Sequence, residues 1–168
     1  TEKRMVHGFA TLDNLDSQDD IVLYEASVKA FEAFRGNIRE MHDLKAVGKM
    51  VSFRPENLYD AESGQIYKGI FVSTYVSKGA QDTWEKVIDG TLTGFSIGGS
   101  IVKSSNRFDD VNEKLIRIIE EYDVSELSLV DNPANELANV VSFEKGKETG
   151  YISKTKSENV FYCKVHNV

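Results

Sequence analysis

The fold class this sequence predicts is α+β, a domain with a β-barrel or folded antiparallel sheet at its centre. Three observations predict it. About seven short runs are rich in β-branched and aromatic residues, only two or three segments carry helical spacing, and no strand–helix alternation suggests a doubly wound sheet. With 168 residues the chain is long enough for one compact domain with a real core.

The elements follow in order. Arg4 to Thr11 alternates loosely and ends in Gly8-Phe9-Ala10, an opening strand, and the acidic stretch Asp13 to Asp20 reads as a loop. Ser27 is placed to cap a short helix whose apolar face is Val28, Phe31 and Phe34, with Gly36-Asn37 ending it. Ile38 to His42 and Ala46 to Phe53 read as extended segments, and Pro55 to Gly64 as a polar excursion closed by the turn signal Ser63-Gly64. Gln65 to Val76 is the clearest strand. Asp82 starts a helix containing Trp84, Val87 and Ile88, which Gly90 stops.

A strand follows through Ser96 to Lys103, and the polar run Lys103 to Asp110 reads as a loop or flap. Val111 to Tyr122 fits either state, because Leu115, Ile118, Ile119 and Tyr122 suit a helix and the isoleucine content suits a strand. Val124 to Asp131 alternates, so one face collects Glu126 and Ser128 and the other Leu127 and Leu129. Pro133 ends it, and Ala138 to Phe143 makes a last core strand. Residues 1–144 therefore read as one domain. From Lys145 the composition shifts, with five lysines against Glu148 and Glu158, and 145–168 reads as a tail or linker whose end, Val160 to Val165, suits an edge strand.

Bulk properties exclude several function classes. A net charge of −7, with no cluster of Lys or Arg, argues against a grip on nucleic acid or an anionic membrane surface. The longest apolar runs fall far short of a membrane span, and the first residues lack the apolar core of a signal peptide. The single cysteine, Cys163, leaves no internal disulfide and suits a reducing compartment. Cys163 and His166 offer at most half a metal site, and no cofactor motif appears. The expectation is a cytosolic soluble domain.

Three segments carry candidate chemistry. Gly94-Phe95-Ser96-Ile97-Gly98-Gly99 presents a hydroxyl among glycines, Arg39-Glu40-Met41-His42-Asp43 supplies a histidine, and Glu126 opens Glu-Leu-Ser-Leu-Val-Asp-Asn-Pro-Ala-Asn, ending at Asn135. A serine hydroxyl is a weak nucleophile until a base takes its proton, and the base works best when a carboxylate orients it. Glu126 is one candidate carboxylate; Asp123, Asp43 and Asp131 are others, and His7 and His166 are the remaining histidines. The literal Gly-x-Ser-x-Gly also suggests the nucleophile elbow of esterase-type α/β-hydrolases. That motif needs a helix after the serine and a histidine last in chain order, whereas Ile97 to Val102 continues as strand and the only later histidine is His166.

The blocks Met41-His42-Asp43 with Val47-Gly48, Gly94 to Gly98, and Glu126 to Asn135 resemble the prohead proteases of tailed bacteriophages, over roughly residues 4 to 144. The stretch Asn37 to Gly48 is similar to the serine-protease branch found in Bacillus-type prophages. The resemblance implies an assemblin-like fold, a bent antiparallel β-barrel of about seven strands flanked by two or three helices. It implies Ser96 as nucleophile, His42 as general base and Glu126 as the acidic member, without cofactor or metal. The implied activity is a capsid-maturation serine endopeptidase acting in the host cytoplasm, inside the procapsid. Its expected partners are the phage scaffold protein and the major capsid protein precursor, and autoproteolysis is expected too. The paired arginines of assemblins have no counterpart, since Arg107 stands alone in a polar run. A degenerate protease kept as a scaffolding module is the alternative from another class.

Overall fold

The computed structural model describes residues 3–145, 148–154 and 160–166. These form a sheet-dominated α+β fold with two helices. The strands are β1 (Arg4–Leu12), β2 (Asp20–Val22), β3 (Asn37–Glu40), β4 (Ala46–Asp60), β5 (Gln65–Val76), β6 (Gly94–Asp109), β7 (Lys114–Val130), β8 (Val140–Lys145), β9 (Glu148–Lys154) and β10 (Val160–His166). Helix α1 spans Tyr24–Ala33 and α2 spans Gln81–Ile88. No helix among the described residues is long and apolar enough to cross a membrane.

The sheet runs β10-β9-β8-β1-β5-β4-β3-β7-β2, with β6 paired to the opposite edge of β7. Strands β2 and β3 both lie parallel to β7, at Arg117–Ile119 and Leu127–Leu129 respectively. Among the described residues the ladder does not close into the barrel expected from the sequence. An isolated bridge between Gly94 and Asn139, with the Phe95 N–H donating to the Ala138 carbonyl at 3.1 Å, brings the start of β6 to the segment leading into β8.

Three other expectations need correction, and one open reading is resolved. The polar run 103–110 is strand, because β6 continues its pairing with β7 while its own side chains here stay mostly exposed on both faces, so polarity carries no positional signal. The ambiguous 111–122 segment is mainly β7. Its helix-like spacing comes from bulges: Glu120 and Ser125 are extra residues in the register against β6, and each shifts the alternation by one. Ile119, Tyr122, Leu127 and Leu129 thereby stay on one face. The stretch 55–60 belongs to β4 rather than to a loop. Pro55 is tolerated there because β3 pairs only with Ala46–Lys49, leaving the rest of β4 as an edge that needs no proline N–H. Ser27, finally, does not cap α1, which begins three residues earlier; it is buried inside the helix.

The core lies between the helices and the sheet face carrying Val6, Ile70, Val72, Phe95, Leu127 and Leu129. Trp84 of α2 is fully buried and meets Phe143 edge-on at 6.1 Å, while Phe31 of α1 packs on Phe34 and Phe53. Side chains of this size stabilise by roughly 1.5–3 kcal/mol each on burial. A smaller cluster joins Ala26 and Ala30 of α1 to Ile119 and Tyr122 of β7. There the Tyr122 hydroxyl donates to Ser27 Oγ at 2.9 Å.

Burial pushes the Tyr122 phenol up to about 12, only partly offset by the Ser27 contact. An acid whose pKa is raised on folding lends stability below its unfolded value, near 10, and loses it as pH rises through the folded value. Relative to Tyr122→Phe, the wild-type stability advantage measured by urea denaturation at pH 8 is expected to be about 1 kcal/mol. That advantage should shrink steadily between pH 10 and 12; a gap constant over that range would show that the phenol is not buried as described.

Candidate active site

Two features of local sequence build the site. Strand β6 enters the sheet through Gly94, where a side chain would collide with the Ala138 carbonyl at 2.5 Å and with Pro133 at 2.8 Å. The turn after β7 can therefore fold over the start of β6. Two residues on, Ser96 pairs directly with Ser128 of β7, and Gly98 pairs with Glu126. Paired residues in an antiparallel ladder share a face, so Ser96, Ser128, Glu126 and the open space above Gly98 lie together. Phe95 and Ile97 point the other way, opposite Leu129 and Leu127.

His42 arrives from the far edge of β7. Strand β3 pairs in parallel with Leu127–Leu129 and then turns sharply. Met41 (φ +54°) and His42 (φ +60°) both adopt the left-handed region, which costs non-glycine residues of order 1–3 kcal/mol each. Successive amides hold the turn: Met41 N–H donates to Leu129 O at 3.0 Å, His42 N–H to Ser128 Oγ at 3.1 Å, and Asp43 N–H to Glu40 O at 2.9 Å.

The imidazole then bridges serine and carboxylate. His42 Nδ1 lies 2.5 Å from Glu126 Oε1, and His42 Nε2 lies 2.9 Å from Ser96 Oγ. With Nδ1 donating to the carboxylate, Nε2 is left as acceptor for the serine hydroxyl. The Glu126 side chain is only 6% exposed and its second oxygen, Oε2, accepts from Ser128 Oγ at 2.5 Å. A carboxylate can be kept at such a depth only when its oxygens are satisfied, and here both are.

Among the candidate carboxylates, Glu126 is the one hydrogen-bonded to His42. Asp43, Asp123 and Asp131 are all exposed. His7 sits elsewhere, its Nδ1 2.8 Å from Ser73 Oγ and its Nε2 3.7 Å from Glu144. The side chains of His166 and Cys163 lie outside the described residues. Arg107 pairs with Ile116 in the outer part of the β6–β7 hairpin. No group of three or more potential metal ligands occurs among the described residues. Sequence reasoning missed Ser128 as a member of the site, although the alternation 126/128 had put it on the right face.

Beneath the His42 turn lies a charged anchor. Glu40 is buried, and burial pushes its carboxyl upward. Hydrogen bonds from Lys45, Lys86 and Thr83, each at 3.1 Å, outweigh that and hold it below the usual range. Lys45 also binds Asp82 at the start of α2. Beside the catalytic candidates opens a cleft of about 300 Å³, bounded by His42, Ser96, Leu12, Tyr122, Asn135 and Arg117. Asn135 ties the turn after β7 to β1, donating to Leu12 O at 3.3 Å and to Asn14 Oδ1 at 2.8 Å. The Asn-Pro-Ala-Asn segment thus ends a strand and also forms one wall of the cleft.

Gly98 is required by the carboxylate. A Cβ there would stand 2.1 Å from Glu126 Oε1. Gly98→Ala is expected to drive that oxygen off His42 and slow covalent labelling of Ser96 by a fluorophosphonate by roughly 10⁴-fold, the scale seen when a triad acid is disabled. A labelling rate within tenfold of wild type, measured on folded protein, would mean that the carboxylate does not orient the imidazole.

Comparison with known proteins gives two family matches. The family described as "Putative phage serine protease XkdF" matches residues 1–104, a span that holds His42 and Ser96. The family described as "Caudovirus prohead serine protease" matches residues 59–152, a span that holds Ser96, Glu126 and Ser128. No curated protein matches, and no solved structure matches. Each family match covers more than half of the 168 residues, and the two overlap around the serine strand. The chain belongs to the phage serine proteases of the caudovirus prohead type.

Proposed function

We propose that this chain is a procapsid-maturation serine endopeptidase, with Ser96 as nucleophile, His42 as general base and Glu126 as the orienting acid. The observation that carries the reading is the continuous hydrogen-bonded series Ser96–His42–Glu126, assembled from three separate elements. Family membership supports the class of reaction.

The steps in this reading are those of a serine hydrolase. A backbone carbonyl of the substrate sits in the cleft beside Ser96, whose Oγ attacks the carbonyl carbon as its proton passes to His42 Nε2. The imidazolium so formed is stabilised by Glu126 through Nδ1–H. The tetrahedral intermediate collapses as His42 returns the proton to the leaving amine, breaking the peptide C–N bond and leaving an acyl ester on Ser96. Water then enters, His42 removes its proton, and hydrolysis of the ester regenerates the hydroxyl. Serine is a poor nucleophile without this relay, and removing it costs roughly 10⁶ in kcat in well-studied serine proteases.

The substrates in this reading are the phage scaffold protein and the major capsid protein precursor, met inside the procapsid in the host cell. Residues 1–144 act as the protease domain, and the chain cleaves itself within 145–168. Intact mass followed over time tests this, with wild type and Ser96→Ala each incubated alone and with scaffold and capsid precursor. The expected result is discrete fragments from wild type only, including loss of a C-terminal piece. Absence of fragments from folded wild type in the presence of both partners would overturn the reading in favour of a structural assembly module.

A further inference from the structure

Ser128 is fully buried, so no substrate carbonyl reaches it and it is no second nucleophile. Its hydroxyl nevertheless touches two parts of the site at once. Oγ donates its single hydrogen to Glu126 Oε2 at 2.5 Å and accepts the His42 backbone N–H at 3.1 Å. The same atom thus fixes the carboxylate oxygen facing away from the imidazole and the amide of the residue that carries the imidazole. His42 N–H belongs to the left-handed turn, where the conformation persists only if its surroundings over-determine it. Glu126 Oε2 is the oxygen that would be orphaned in a buried site if the hydroxyl were absent.

We propose that Ser128 is a positioning residue for the proposed triad, coupling the Glu126 rotamer to the backbone conformation that aims His42 at Ser96. The inference rests on the reading of Ser96, His42 and Glu126 as the reacting series. Ser128 contributes by keeping the carboxylate, the imidazole and the nucleophile in one line before substrate arrives. Hydrogen bonds to charged groups of this kind translate into about 10- to 100-fold in rate when the site loses its alignment.

The test uses the full chain and a fluorophosphonate probe. In the labelling step Ser96 Oγ bonds to phosphorus, the P–F bond breaks, fluoride leaves and the hydroxyl proton passes to His42. Ser128→Ala is expected to lower kinact about 10- to 100-fold with KI within threefold. Ser128→Thr keeps the hydroxyl and is expected to stay within threefold of wild type, while the near-isosteric Ser128→Val behaves as alanine. In a Glu126→Ala background, where the hydroxyl keeps the His42 N–H and has no carboxylate to hold, Ser128→Ala is expected to cost at least threefold less than it does alone.

Equal kinact in the Thr and Val variants would overturn the proposal, and that comparison decides the matter if the alanine variant fails to fold. An undiminished Ser128→Ala loss in the Glu126→Ala background would also overturn it, because the residue would then act independently of the carboxylate. Labelling of Ser96→Ala at the wild-type rate would remove the triad reading itself, and this inference with it.

Discussion

The burial of one carboxylate organises this molecule. Glu126 is buried in the sheet, a position that is destabilising for a carboxyl group unless both of its oxygens find partners. Two residues supply those partners and a third makes room. Gly98 vacates the space directly across the ladder, Ser128 donates to one oxygen, and the imidazole of His42 occupies the other. Each of these residues is constrained in turn: a Cβ at Gly98 would stand 2.1 Å from Glu126 Oε1, Ser128 is fully buried, and His42 holds a backbone conformation that a histidine adopts reluctantly. The glycine two residues after Ser96 thus makes room for the Glu126 carboxylate.

Strand β7 is the frame on which this is hung. It carries Glu126 and Ser128 on one face and Leu127 and Leu129 on the other, where they join the main core. One edge positions Ser96 through β6 and the other positions His42 through β3. The bulge at Ser125 sets the phase, since without it Glu126 and Ser128 would exchange faces with Leu127 and Leu129 relative to Tyr122 and Ile119. Packing on one side of the strand and polar geometry on the other are therefore one constraint.

Much of this was legible in the sequence, for definite reasons. The 126–130 alternation forecast the two faces of β7, because a half-buried strand leaves a period-two trace. The helix around Trp84 and its stop at Gly90, which has φ +80°, followed from apolar spacing and a glycine signal. What escaped detection depends on non-local geometry. Bulges at Glu120 and Ser125 imitate helical spacing, the outer part of β6 exposes its side chains on both faces, and Ser27 looked like a cap because its partner, Tyr122, lies 95 residues away. Ser128 was visible on the correct face. Its role depends on a left-handed turn at 41–42 that no local pattern of Met-His-Asp announces.

The separation of the site residues along the chain has a consequence for biogenesis. His42 and Ser96 are 54 positions apart, His42 and Glu126 are 84 apart, and the parallel pairing of β3 with β7 must form before they meet. Contacts of this range close late, after nearer pairings have absorbed the loop-closure entropy. A chain emerging from the ribosome carries its histidine and serine before β7 follows, and during that interval Glu126 is not in place to meet the imidazole. Topology acts as a timer on this protein: the hydrogen-bonded series Ser96–His42–Glu126 is complete only once β7 has joined β3 and β6.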